Sequence, residues 1–410
     1  MTHVLISGAG IAGPTLAYWL DHYGISSTII EKSPTLRTDG YLIDFWGAGF
    51  DIAGRMGLLP EILREGYNVQ EVRVVNTFGK RIAGFPAQAF ARAAQGRYTS
   101  ITRGNLAALI FRKIESKVEV IFGDSIQHID QNEKKVQVSF ESGVTREFDL
   151  VIGADGLHSR VRELVFGPQS KFEKYLGYKV AAFEVDSYRP RDELVYLMYT
   201  TIGQQVDRFA LRGDRTMFLF IFADPADDSN EWRDLRAQKD LLKKRFANNG
   251  WECSRIIELL ENCKELYFDR ISQIQMNPPE HDSWTQGRVS LVGDAAFCVS
   301  LLAGQGSALA MIAAYILAGE IHQARGDHAL AFARYQQRFG SFVLNKQKAA
   351  LGFAGTFAPK SKIEMFLRNQ IMNLMRIPWV TNFIVRKGLA DKISLPDYDA
   401  PDASHRQVGD

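Results

Sequence analysis

Three glycines stand at the spacing GxGxxG near the start of the chain, in Gly8-Ala9-Gly10-Ile11-Ala12-Gly13. Each has a chemical reason. Gly8 permits a tight turn, Gly10 lets the backbone approach a pyrophosphate, and Gly13 lets a helix pack close to a strand. Residues 4–7 before the loop are an apolar run that reads as a buried parallel strand. Residues 11–23 after it read as a helix, with Pro14 tolerated in the first turn and Gly24 as the stop. Ile11 and Ala12 would open that helix, whose unpaired N–H groups suit phosphate. Residues 27–31 form a second strand ending at Glu31, next to Lys32. A carboxylate there can accept hydrogen bonds from an adenosine ribose. Strand, loop, helix, strand and acid together predict one bound dinucleotide. The loop alone leaves FAD and NAD both open, and no second GxGxxG loop follows.

Two distant segments resolve that choice. Asp155, Gly156, Ser159 and Arg162 follow an apolar strand at residues 149–153 and resemble the DGxxSxxR motif of flavoprotein aromatic hydroxylases. Gly293-Asp294-Ala295-Ala296 ends the strand-like run 289–293 and resembles the GD motif of the same family, with Gly304-Gln305-Gly306 following. In order and spacing the three motifs are similar to the group of single-component FAD monooxygenases that includes p-hydroxybenzoate hydroxylase and the tetracycline-inactivating enzymes. The similarity spans roughly residues 3–345.

That resemblance implies FAD as cofactor and NADPH or NADH as co-substrate, with oxygen consumed. It places Asp294 on the ribityl chain, and the backbone of Gly304, Gln305, Gly306 and Ser307 at the pyrimidine end of the flavin. Asp155 and Arg162 would lie near the pyrophosphate and serve NAD(P)H use. Asp155 alone also reads as a helix cap at a strand-to-helix corner. Arg103, in Ile101-Thr102-Arg103-Gly104, would reach FAD from a helix start. Asp44, in the segment 40–47, would contact it from beneath, and Arg37 is a candidate for the cofactor or a phosphate of NADPH. Three positions depart from the family pattern: Phe297 replaces His, Leu301 replaces Pro beside the flavin, and Ser307 replaces Asn. In such a family the flavin carries the hard chemistry, so no catalytic side chain and no metal is expected. The eight histidines show no His-x-x-x-His pairing.

The elements that would hold these residues read as an α/β fold. It joins a Rossmann-like FAD-binding domain (1–70, 101–172 and 278–345) to an interleaved sheet-rich substrate domain (71–100 and 173–277) and a C-terminal helical bridge (346–400). Short strands are expected at 118–122, 136–140 and 144–148. β-Branched and aromatic runs at 179–185, 194–201 and 216–222 mark the second domain. Phe183, Tyr196, Met198, Phe209, Met217, Phe218 and Phe220 would offer apolar surface to an aromatic or polycyclic substrate, and only alternate residues would face it. Met217 and Phe220, with Arg208 and Arg212 for an acidic or enolic group, are the substrate candidates. The chain reads as helical from 306 to about 347. An apolar stretch follows at 363–385, broken at Pro378, on which Phe366, Leu367, Ile371, Leu374 and Met375 share a face with Arg368 and Arg376 elsewhere. Residues after Pro401 read as a frayed tail.

The chain has 410 residues, with 49 Lys and Arg against 47 Asp and Glu, so no basic excess calls for nucleic acid. Cys253, Cys263 and Cys298 form no disulfide or metal pattern. No run approaches the roughly 20 apolar residues of a membrane span. A cytoplasmic monomer or weak dimer is expected. Hydroxylation of an aromatic or polycyclic molecule leads, antibiotic inactivation of the tetracycline type included. An FAD-dependent reductase or dehydrogenase without oxygen insertion, or a non-catalytic FAD protein, remain the alternatives.

Overall fold

The computed structural model describes residues 2–37, 40–226, 232, 234–276, 283–381 and 393–400. The expected tail after Pro401, and the end of the stretch running to Val385, lie outside the described residues.

A six-stranded sheet forms the centre of the cofactor side. Its order is Thr285–Gln286, Val289–Leu291, Leu150–Gly153, His3–Ser7, Ser26–Glu31, Glu119–Phe122. All neighbours are parallel except the first pair. The first strand is apolar and buried from Val4 to Ser7 because helices cover both faces of a parallel sheet. Helix Ala12–His22 packs against helix Gly306–Gln323, which is buried on all sides from Leu309 to Ile321. Such an all-round apolar helix belongs in a core. Among the described residues no helix is long and apolar enough to cross a membrane. The runs expected near 118, 136 and 144 are strands. The latter two join Ile126–Gln131 in a separate three-stranded meander.

The second sheet has seven strands in the order Tyr267–Ile274, Glu173–Asp186, Arg215–Ala223, Gln204–Ala210, Val195–Thr201, Glu71–Val75, Arg81–Pro86. One face is packed by helices Leu235–Phe246 and Cys253–Glu261, through Val206, Phe218, Phe220 and Phe246. The other face meets the cofactor side through Tyr41 and Leu42. The strands Leu42–Trp46 and Tyr98–Thr102 pair antiparallel at this junction.

Two helical expectations need correcting. The helical stretch after Gly306 is divided into two helices, Gly306–Gln323 and His328–Phe357, and runs ten residues past the expected end near 347. Gly326 at φ +100° breaks it, and the Asp327 carboxylate caps the next helix by accepting from Leu330 N–H at 3.0 Å. The C-terminal helix Lys362–Leu374 ends before Pro378 and lies the other way round from the amphipathic reading. Phe366 and Leu367 are 59% and 54% exposed, whereas Arg368 is 6% exposed. Arg368 turns inward because a polar acceptor waits there: it donates to Thr200 Oγ1 at 3.1 Å.

The glycine loop and the helix after it are in very close contact. A Cβ on Gly13 would sit 2.0 Å from the Gly8 carbonyl oxygen, whereas one on Gly24, at φ +71°, would meet nothing within 4 Å. Gly13→Ala should therefore cost about 3 kcal/mol or more through a backbone shift. Gly24→Ala should cost only about 1 kcal/mol, for its left-handed backbone. Urea unfolding of the two variants checks the order.

Candidate active site

The carboxyl ends of the parallel strands open onto a cleft of about 820 Å³ of non-atom space, part of it open to solvent. This is where open α/β sheets hold ligands. Gly8, Gly10, Ile11 and Ala12 form one wall, and Glu31, Lys32 and Arg37 one end. Arg103, Asp155, Asp294, Gly306 and Ser307 also line it, as does Arg160. Gly13, Gly304 and Gln305 are not among its lining. Gly13 seals the helix to the strand behind it, and Gly304 with φ +62° turns the chain into the helix that Gln305 precedes.

Two helices begin at this cleft, and neither is capped by a side chain. Ile11 precedes the first and Gln305 the second, each without a side-chain acceptor, and neither helix has an acid in its first turn. Five other helices are closed by their own side chains, at Thr102, Ser159, Asp234, Asp327 and Ser361, while helices such as Ala48–Arg55 and Cys253–Glu261 also lack a side-chain cap, so it is the cleft in front of these two starts that sets them apart. First-turn N–H groups left without acceptors in a cleft are an anion site. Gly10 faces Arg103, whose Nη2 lies 3.8 Å from where a Cβ would stand. The glycine loop, the free N–H groups and Arg103 fit a pyrophosphate. Asp294, facing a second free helix start, fits a polyol chain leading to a ring that gains negative charge on reduction.

At the far end the Glu31 carboxylate accepts from Ala9 N–H at 2.8 Å and Ser33 N–H at 3.0 Å. Those bonds hold it rigid beneath the glycine loop. Arg37 lies 3.9 Å from it. Asp124 and Ser125 line the same end and escaped the sequence reading. Their one signal was their place just after the strand Glu119–Phe122, at the sheet's carboxyl edge.

Asp155 sits on the cleft wall but its carboxylate is engaged by the fold. It accepts from Arg160 N–H at 2.8 Å, Val161 N–H at 3.1 Å and the Ser159 hydroxyl. The capping position itself belongs to Ser159, and Asp155 adds acceptors to the same first turn from outside it. Burial still pushes its carboxyl above the usual range, against those bonds. Arg162 needs correcting: it is fully buried and faces away from the cleft. It donates to Ala295 O at 2.9 Å, Leu157 O at 2.7 Å and Gln169 Oε1 at 3.2 Å. It ties the DG corner to the GD corner, so its role is to set their spacing. His158, between the DG corner and the helix start, lines the cleft and bridges to the second sheet through Asp269 at 3.1 Å. That bond raises its imidazole pKa.

Asp294 shares the cleft floor with Arg103. Burial lifts its carboxyl above the ordinary range and the Arg103 guanidinium pulls it back. The departures at Phe297 and Leu301 are packing choices. Phe297 is buried against Trp284 and Phe339, with ring centroids at 5.0 and 5.2 Å. Leu301 packs with Tyr178 and Val180 of the seven-stranded sheet. Asp44 is corrected as well. It does not line the cleft, and it accepts from the Tyr98 and Ser100 hydroxyls, both at 2.7 Å, pinning its strand to the neighbour.

Of the substrate candidates, Met217 alone faces the junction, where its sulfur meets Leu42 N–H at 3.3 Å. Phe220 is on the opposite face, under Phe246. Arg208 shares that far face and is buried in ion pairs with Asp192 and Glu252. Arg212 is spent on the Glu65 and Gly66 carbonyls and lies over the Tyr67 ring. None of these three has a free polar or apolar surface toward the cleft. Strand alternation decides the first two: Arg208 and Phe220 have the opposite parity to Phe209 and Met217.

Two outcomes follow from this geometry. Asp155→Ala removes acceptors from the helix start and should lower the unfolding free energy of FAD-free protein by about 1–2 kcal/mol. An unchanged urea midpoint would mean the carboxylate serves only the ligand. The His158–Asp269 bridge contributes fully below the free imidazole pKa of about 6.5 and is lost as pH rises through the raised folded value. Wild type should lose thermal stability across that window relative to His158→Gln, as melting curves at stepped pH would record.

The chain matches the FAD binding domain family over residues 1–330. It is 33% identical over 405 residues to a flavin-dependent monooxygenase of an unknown prokaryotic organism, covering 96% of this chain and 98% of that one. A flavin-dependent monooxygenase of Legionella longbeachae is 32% identical over 409 residues, covering 97% and 98%. Among solved structures, tetracycline destructase Tet(51) superposes with a TM-score of 0.81 at 32% identity, covering 97% of this chain and all of that one. Its cleft has the donors for an FAD, and the chain belongs to the FAD binding domain family, as an FAD-dependent monooxygenase.

Proposed function

We propose that the chain hydroxylates an aromatic or polycyclic small molecule seated between the cofactor cleft and the inner face of the seven-stranded sheet. NADPH or NADH would supply the electrons and oxygen the transferred atom. The observation that carries this reading is the junction itself. The Tyr41 carbonyl accepts from Arg103 N–H at 3.1 Å on one side, and its ring packs with Tyr178, Val180 and Leu219 of the sheet on the other. An apolar wall one residue layer from the cofactor floor suits a flat, apolar substrate. Similarity to a tetracycline destructase makes tetracyclines one class to try. The protein would act in the cytoplasm, as a monomer or weak dimer, with Cys253, Cys263 and Cys298 as free thiols.

FAD, when bound, supplies electron transfer and oxygen activation. The chain's own residues do the rest. The uncapped helix starts and Arg103 hold the anionic part, and Glu31 anchors the nucleoside end. Asp294 positions the polyol chain, and the sheet excludes water from the reacting face.

The test is product analysis under isotopically labelled oxygen, with NADPH consumption followed across aromatic substrates that include tetracyclines. One labelled oxygen atom per NADPH consumed is expected in the product. NADPH oxidation that an aromatic accelerates, with no label in any product, would instead mark a reductase.

A further inference from the structure

The face of the seven-stranded sheet that meets the cleft is built in cross-strand rows. Ala182, Leu219, Asp207, Met198, Val74 and Ala83 form one row. Asp207 is the one charged residue in it. Tyr196, Phe209 and Met217 lie in the row on one side, Thr200, Gln205 and Ile221 in the row on the other. Asp207 is 1% exposed. Its Oδ2 accepts from the Tyr196 hydroxyl at 3.1 Å and from Gln205 Nε2 at 3.0 Å. Its Oδ1 is buried and has no hydrogen-bond partner among the described residues. A buried carboxylate oxygen without a donor carries a desolvation penalty that folded proteins rarely leave standing.

The surroundings are arranged around that oxygen. The C-terminal helix covers the same rows, with Met372 against Val74, Ala83 and Met198. It buries Arg368 here and leaves Phe366 and Leu367 in solvent. A helix packed for apolar contact alone would lie the other way up. Leu219, beside Asp207 in its row, packs with Tyr41, whose carbonyl accepts from Arg103 N–H at 3.1 Å at the cofactor floor. Asp207 therefore stands one side chain away from the wall that a substrate would touch.

We propose that Asp207 Oδ1 accepts a hydrogen bond from a phenolic or enolic hydroxyl of the substrate, so that the enzyme selects hydroxylated aromatics over their ethers. This rests on the aromatic-substrate reading above. Tyr196 and Gln205 fix the carboxylate by occupying Oδ2, and Arg368 balances its charge from the C-terminal helix. A site built to receive a hydroxyl discriminates strongly against an analogue without one, because its buried acceptor is then left unpaired. Burial pushes the Asp207 carboxyl up to about 7. The titratable groups facing it are Tyr196 on the adjacent strand, with Asp44 beyond that ring, and Arg368. The acceptor form is complete above that value, so hydroxyl preference should rise between pH 6 and 8.

The experiment titrates FAD-loaded enzyme with tetracycline and with mono- and bicyclic phenols, each simple phenol paired with its O-methyl ether. Binding is read from the perturbed flavin absorbance. Wild type should bind each phenol about ten-fold or more tighter than its ether. Asp207→Leu should bring that ratio to about two-fold or less, leave ether binding unchanged, and remove the pH dependence. Asp207→Asn should keep an intermediate preference without the pH dependence. Because leucine suits the apolar row, Asp207→Leu should melt at or above the wild-type temperature, which separates selection from a structural role. An equal phenol-to-ether ratio in wild type and Asp207→Leu, or no preference in wild type, would overturn the assignment while leaving the aromatic substrate in place. Failure of every aromatic to perturb the flavin would overturn both.

Discussion

Helices Ala12–His22 and Gly306–Gln323 start at one cleft with their first N–H groups unclaimed by any side chain, and the cofactor half of the molecule is arranged to keep them so. The helix N-terminus carries a partial positive charge that a capping carboxylate would neutralise. Keeping it open needs the strand and helix fixed by something other than a cap. Packing does this. Gly13 brings the first helix against the Gly8 carbonyl, and Gly49 brings another helix within contact of Ala308 at the start of the second. Both helix starts are thus aimed by backbone contact, and both leave their donors to the ligand.

A second constraint follows from the first. The corner at Asp155 and the corner at Asp294 must stay a fixed distance apart for one ligand to span both. Arg162 holds them, buried, with its guanidinium on the carbonyls of Leu157 and Ala295. Its two terminal nitrogens are matched by those carbonyls and by Gln169, although Nε has no partner among the described residues, and removing the side chain would leave the carbonyl acceptors bare. Arg162 therefore acts on the cleft without touching it.

This explains which features were legible in the sequence. Glycines forced by close approach announce themselves, since no other residue fits, and the cleft's glycine wall, Glu31, Arg103 and Asp294 come together along one cleft. Side-chain direction is less visible. Arg162, Asp44 and Arg208 have the right residue types near the right segments, yet their guanidinium and carboxylate groups turn to partners that only the tertiary fold supplies: Ala295, Tyr98 and Glu252. Alternation along Gln204–Ala210 separates Arg208 from Phe209, but that strand has to be recognised first, and its run Gln204-Gln205-Val206-Asp207-Arg208 is too polar to look like one. The strands Glu71–Val75 and Arg81–Pro86 are likewise short and charge-bearing; the second is the sheet's edge and the first lies next to it.

The C-terminal helix shows the same limit from the other side. Its hydrophobic periodicity is real, and it specifies a face, but a face needs a partner surface of the same kind. The rows it covers contain Thr200, Gln205 and Asp207, which bond to one another yet keep acceptor capacity on Thr200 and on Asp207 Oδ1 that a purely apolar helix face could not meet. Burying Arg368 answers one of them directly, through Thr200, and leaves the apolar stripe outward. The lost apolar burial, of order 1.5–3 kcal/mol for each large side chain, exceeds what a single hydrogen bond returns. An arrangement that runs against the hydrophobic term in this way is expected where a protein holds a polar surface in place for a ligand and not for its own stability.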